Sequence, residues 1–106
     1  MQPVYFLVEL IKGDDSVKSD LENLANDIRI TTMYFNELDY YLCFGTTSKE
    51  TYEHVFGAVL EYRFDAMQDL YGCSPGYTEL RPAKIPLGFE GKIKSVELDY
   101  EVYARD

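Results

Sequence analysis

The chain has few of the residues that most often carry chemistry. Among its 106 residues there are no tryptophans, one histidine and two cysteines. No second histidine or cysteine stands at metal-ligand spacing from His54, so the sequence predicts no zinc site. We expect His54 to be an exposed helix residue, because a general base needs a reacting group within hydrogen-bonding reach. The sequence therefore predicts no catalytic residue, no metal and no cofactor.

The two cysteines also bear on the cellular compartment. Cys43 lies in an apolar run and Cys73 in a segment rich in glycine and proline. Two cysteines do not make a disulfide framework, and no signal-peptide pattern precedes them. We therefore expect a cytoplasmic protein with reduced thiols, the alternative being a bridge between Cys43 and Cys73. No apolar run approaches the length of a membrane span.

Positive charge is scarce as well. Ten lysines and arginines stand against 19 aspartates and glutamates, which gives a net charge of -9. Nucleic acids and anionic membranes bind surfaces with local positive charge, so neither is an expected partner. The sequence favours a protein partner with a basic surface. The alternative is that acidity only keeps a small protein soluble.

The most apolar stretch is the run from residue 4 to residue 12. Its β-branched and aromatic residues favour a strand, and both faces of that strand are apolar. Val4 and Phe6 point to one face, whereas Tyr5 and Leu7 point to the other. A strand with two apolar faces belongs in the middle of a sheet, so we expect neighbouring strands on both sides.

The rest of the chain predicts two helices and three further strands around this first strand. Apolar residues at helical spacing from Val17 to Ile28 predict the first helix. A capping box at Thr47 and Glu50, with a helix stop at Gly72, predicts a second helix over 48–71. Alternating patterns predict the strands at 29–35 and from Ile93 onward, and a nearly continuous apolar run predicts the strand at 39–46. Tyr77–Arg81 is a candidate for a short edge strand within the long loop.

This element order predicts an α+β fold in a single domain, 1–106. The arrangement is a ferredoxin-like β-α-β-β-α-β sandwich, in which a four-stranded antiparallel sheet carries both helices on one face. Residues 72–92 would form a long irregular loop before the last strand. This superfold hosts many functions, so it implies none by itself.

The sheet face away from the helices is expected to be apolar. Its predicted contact residues are Tyr5, Leu7, Tyr41, Cys43 and Tyr103. A patch of that size should be covered by the 72–92 loop, by a second copy of the chain or by another protein. RNA-recognition domains use such a face, but their basic, glycine-rich aromatic motif is absent and the predicted border is acidic.

Two rows of carboxylates are the predicted binding surface. One row lies on the second predicted helix and the other on the last strand: Glu50, Glu53, Glu61, Asp65 and Asp69, and then Glu97, Asp99 and Glu101. Carboxylates in a row can imitate the phosphates of DNA, which suits a basic, nucleic-acid-handling partner. Ten tyrosines favour protein contacts further.

The sequence therefore predicts a small inhibitory binding protein and not an enzyme. In size and acidity it is similar to phage anti-defence proteins and toxin-neutralising immunity proteins, a likeness of composition that covers no motif. The alternative is a homodimeric ferredoxin-like domain that uses the open sheet face as a small-molecule or enzymatic pocket.

Overall fold

The computed structural model describes residues 3–36, 40–62 and 76–99. Within these three segments the chain forms six strands and two helices. In chain order these are β1 (Val4–Leu10), α1 (Ser16–Glu22), β2 (Arg29–Phe35), β3 (Tyr41–Thr47), α2 (Lys49–Phe56), β4 (Val59–Tyr62), β5 (Tyr77–Arg81) and β6 (Ile93–Leu98). The protein is thus a small α+β fold, as its sequence predicts.

Four of the strands form one antiparallel sheet in the order β2-β3-β1-β6. β1 lies in the interior of this sheet, as its two apolar faces predict. β2 and β3 pair as the predicted hairpin, and β6 is the predicted last strand. β4 and β5 form a separate two-stranded sheet.

The core lies on one face of the four-stranded sheet. Alternate residues of β1, beginning with Val4 and Phe6, are buried there, and both helices contribute side chains to the same cluster. The ring of Phe6 lies 5.6 Å from that of Tyr52 and 5.4 Å from that of Phe56 on α2. Gly45 of β3 faces Phe6 so closely that a Cβ atom there would lie 2.4 Å from the Phe6 ring.

The predicted helix over 48–71 is wrong. α2 begins at Lys49, where the N-cap Ser48 Oγ accepts a hydrogen bond from the Thr51 N–H at 3.2 Å. It ends at Phe56 because Gly57 takes a left-handed conformation (φ 66°), which closes a helix at little steric cost. The chain continues as β4, whose partner is the predicted strand Tyr77–Arg81, here β5.

The first helix is also shorter than predicted. α1 ends at Glu22, with Asn23 as its C-cap, and Ile28 is buried without being helical. Asparagine and aspartate between these positions favour turns, because their side chains compete for backbone hydrogen bonds. Of the predicted irregular loop, 76–92 is described; it contains β5, and 82–92 holds no helix or strand. No helix in the described segments is long and apolar enough to cross a membrane.

Candidate functional site

The carboxylates predicted to share one helix face are divided between two elements. Glu50 and Glu53 lie on α2, whereas Glu61 lies on β4. Asp65 and Asp69 are outside the described residues. The prediction of a single helical row is confirmed for the placement of Glu50 and Glu53 on a helix and is wrong for Glu61, because the helix stops before it.

Glu53 is engaged inside the fold. One carboxylate oxygen accepts a hydrogen bond from the Leu60 N–H at 2.8 Å, and the other lies 3.2 Å from the Lys49 ammonium. The bond from Leu60, followed by the contact with Lys49, lowers the pKa of Glu53. Glu53 therefore joins α2 to β4, whereas Glu50, one turn earlier, is exposed.

The predicted row on the last strand is also divided. Glu97 is exposed, but Asp99 is only 3% exposed, so the predicted wet face does not extend to it. The reason is that the chain stays beside β1 after β6 ends: the Asp99 N–H donates to the Tyr5 carbonyl at 2.9 Å. Glu101 is outside the described residues.

Two residues assigned to the open sheet face belong to the opposite face. Cys43 stands directly opposite Val8, and paired residues of neighbouring strands share a face, so Cys43 lies in the core with no exposed surface. Burial raises the pKa of its thiol to about 11. Tyr41 is on the same face, packed against the core in an edge-on contact with Phe35 at 5.7 Å.

The open face is therefore formed by the alternate residues of each strand that do not point towards the core. Tyr5 and Leu7 lie on it, as predicted, and both are half-buried. Phe44 pairs with Leu7, and Leu42 pairs with Tyr34, which is 49% exposed. Tyr103 is outside the described residues. The face is apolar, but three of these five contributors differ from the predicted set.

A cleft at the start of α2 is a site that the sequence did not predict. It has a volume of about 270 Å³. Its lining residues come from the chain before β1, from the turn before β2 and from the junction of β3 with α2: Pro3, Asp27, Thr46, Thr47, Ser48, Lys49 and Glu50. Two carboxylates and three hydroxyl groups thus border one cavity.

Asp27 is fixed in this cleft by the end of β3. Its carboxylate accepts hydrogen bonds from the Thr47 hydroxyl and from the Ser48 N–H, each at 3.1 Å. Hydrogen bonds from Ser48, then Thr51 and Thr47, hold the pKa of Asp27 at about 2. The carboxylate is therefore ionised at any physiological pH, and it occupies the amide-rich start of the helix where an external anion would otherwise be favoured.

The charge balance of the cleft differs from that of the surface around β1 and α1. There, lysines neutralise carboxylates in the pairs Lys18–Glu22, Lys92–Asp20 and Lys94–Glu9, at 2.9, 3.6 and 3.6 Å. The cleft's one lysine, Lys49, is engaged with Glu53. Asp27 and Glu50 are thus left as the charges of the cavity, which suits a cationic group.

The described residues contain no cluster of metal ligands. Among residues 3–36, 40–62 and 76–99, no group of three or more histidine, cysteine, aspartate and glutamate side chains could hold a metal ion. His54 is exposed in the last turn of α2. The residues of the cleft offer carboxylate and hydroxyl oxygens, which can bind and orient a cation.

Comparisons with protein-family models, with curated proteins and with solved structures found no significant match to this chain.

Proposed function

We propose that this chain is a non-catalytic binding protein that docks on a partner protein with a basic surface and inhibits it. The observation that carries the proposal is the cleft at the start of α2, where Asp27 and Glu50 border a cavity of about 270 Å³. In this proposal a lysine or arginine side chain of the partner enters the cleft and its charged end meets the two carboxylates.

The chemistry of the lining supports a cationic side chain. Charge-assisted hydrogen bonds between a guanidinium or ammonium and a carboxylate are about twice as strong as neutral ones. The Asp27 carboxylate keeps its charge because its pKa is about 2. Thr46 and Pro3 supply hydroxyl and apolar surface against which the methylene groups of a long side chain can pack.

The net charge of -9 supports the same class of partner. A strongly acidic protein attracts a basic one over distances of about 10 Å at moderate salt, which speeds the encounter. Enzymes that handle nucleic acid have such basic surfaces, so we assign the partner to that class, as for anti-defence and immunity proteins. Of the carboxylates predicted as contacts, the exposed Glu50 and Glu97 suit the role better than Glu53, whose carboxylate is already engaged by the Leu60 N–H and Lys49.

The fold that presents the cleft is, in this proposal, a variant of the ferredoxin-like sandwich. The sheet order β2-β3-β1-β6 and two helices that contribute to one core support this assignment. β4 and β5 would then be a hairpin added between the second helix and the last strand of the sheet. We also propose that the protein acts in the cytoplasm.

The test is a titration with an arginine-rich peptide, followed by NMR. We expect shifts centred on Thr46, Ser48 and Glu50, and an affinity that falls as salt is raised. Glu50→Gln should weaken binding several-fold. Asp15→Asn is the matched control, because Asp15 is exposed and outside the cleft, so it removes the same unit of charge elsewhere.

Equal weakening by both variants would show that only net charge matters and would overturn the role of the cleft. Absence of binding at low salt would overturn the proposal of a basic partner. If the peptide binds as expected, wild-type and Glu50→Gln proteins used as baits in the native host should differ in the basic protein they retain.

A further inference from the structure

β2 forms one edge of the four-stranded sheet, and this edge is accessible. Within the described segments β2 pairs with β3 alone. Thr31 and Thr32 are exposed, Tyr34 is 49% exposed and Phe35 is 37% exposed. Side chains on both faces of the strand therefore reach solvent, which leaves room for another strand beside it.

The ladder between β2 and β3 identifies which backbone groups point outward. Beyond the end of β2, the Asn36 N–H donates to the Tyr40 carbonyl at 3.3 Å, and the Tyr40 N–H donates to the Asn36 side-chain oxygen at 3.1 Å, so Asn36 and Tyr40 occupy a hydrogen-bonded position of the ladder. Such pairs alternate along an antiparallel ladder. Tyr34 therefore directs its backbone groups towards β3, whereas Met33 and Phe35 direct theirs to the outer edge.

β2 lacks most of the features that keep an edge strand from pairing with another chain. Natural edges carry prolines, inward charges or bulges that prevent pairing with another chain. β2 has no proline and no carboxylate, and Arg29 at its start is its only charge. A register shift between Ile30 and Thr32 distorts the first part of the strand, but from Thr32 to Phe35 the register is regular.

We propose that β2 pairs antiparallel with β2 of a second copy of this chain. The two-fold axis passes through Tyr34, so that Met33 lies opposite Phe35 of the partner subunit. The outward backbone groups of Met33 and Phe35 then form hydrogen bonds across the axis. The product is one continuous sheet of eight strands.

Charge and symmetry select a second copy as the occupant of this edge. Two chains of net charge -9 repel each other, and β2 is a segment free of carboxylates where that repulsion is small. An edge with one cation and no anion does not suit the basic partner proposed above. A two-fold interface uses the same patch on both subunits, which a short, neutral, self-complementary strand satisfies.

The proposed binding cleft lies at the end of β2 away from the two-fold axis. Arg29, at the far end of β2 from Phe35, pairs with Thr46, which lines the cleft. The axis at Tyr34 is five residues away, beyond the register shift. Each dimer would therefore present two clefts, and two weak contacts on one partner assembly would reinforce each other.

The first test is sedimentation equilibrium of the full chain up to about 1 mM protein. We expect a concentration-dependent dimer. Tyr34→Lys should abolish it, because it places two ammonium groups opposite each other on the axis. Tyr62→Lys is the matched control and should leave the dimer intact: Tyr62 is 45% exposed, lies on β4 in the other sheet, and undergoes the same change of charge.

The second test locates the interface by amide hydrogen exchange. The Met33 and Phe35 amides should become protected as protein concentration rises, and this protection should be lost in Tyr34→Lys. A monomer at every concentration would overturn the proposal, because the edge would then be empty or reserved for a strand of another protein. A dimer without protection at these two amides would overturn it equally.

Discussion

The two faces of the four-stranded sheet differ in how strictly they constrain their residues. On the core face every β1 residue is buried, and Phe6 is in contact with two aromatic rings and with the bare backbone of Gly45. On the other face the alternating residues, among them Tyr5 and Leu7, are half-buried. The difference implies that close packing restricts which residues can occupy the core face. The other face should accept a wider range of residues.

The largest effect is expected from truncating two neighbouring residues of β1, one on each face of the sheet. Phe6→Ala should lower the free energy of unfolding by about 3 to 5 kcal/mol, because it leaves a cavity beneath α2. Leu7→Ala should cost about 1 kcal/mol, since Leu7 is half-buried and buries less surface. Urea unfolding measures both. Similar losses for the two variants would mean that both faces are packed as cores.

The next effect concerns the close contact between Gly45 and Phe6. Gly45→Ala should cost about 1 to 3 kcal/mol, because the added methyl forces the Phe6 ring to move. Thr46→Ala, the adjacent residue on the open face, is the control and should cost less. In a double-mutant cycle, Phe6→Leu should relieve part of the Gly45→Ala loss, and strict additivity would contradict the proposed clash.

A smaller loss of stability is expected in acid, where Asp27 is protonated and weakens its hydrogen bonds to the end of β3. The folded pKa of Asp27 is about 2, below its ordinary value of 3.8. A carboxylate with a lowered pKa stabilises the fold above its ordinary pKa, and this contribution is lost as pH falls through the folded value. Wild-type stability should therefore decline between about pH 4 and pH 2.

Asp27→Asn should have a flatter pH profile over the same window, measured by urea unfolding at a series of pH values. Asp15→Asn is the control for the removal of one carboxylate, because the Asp15 side chain forms no capping hydrogen bond. Thr47 is on the core face and 4% exposed, and its hydroxyl donates to Asp27. An unchanged slope in Asp27→Asn would show that the negative charge of Asp27 does not stabilise this part of the fold.

The smallest effect is expected at Glu50. Glu50 is exposed and belongs to neither sheet face, so Glu50→Gln should change the free energy of unfolding by less than about 0.5 kcal/mol. Thermal unfolding of Glu50→Gln beside the wild type measures this. A large loss would mean that Glu50 has a structural role, and its binding phenotype would then need another explanation.

The strands of the main sheet were predictable because their patterns carry the information. The two apolar faces of β1 place it inside a sheet, and alternation marks β2 and β6. The end of the second helix at Phe56 was not predictable. Leu60 continues the helical spacing of Tyr52 and Phe56, although a short apolar run suits a strand equally well. Only the left-handed conformation of Gly57 marks the point where the helix ends and the chain turns towards β4.

The faces of β3 and the cleft were harder to predict for different reasons. β3 is apolar on both sides, so no polar residue marks which of Cys43 and Phe44 faces the core. The pairing register decides it, and that depends on the whole hairpin. Asp27 reaches Ser48 across 21 positions of the chain, and no local pattern reports such a contact.

The pairing of β1 with β6 has a consequence for synthesis of the protein. β1 is made before β6, whose first residue is Ile93. Translation proceeds from the N-terminus, so one edge of β1 lacks its partner strand until β6 has emerged from the ribosome. In that interval the unpaired edge of β1 can pair with another chain, and the arrival of β6 closes it.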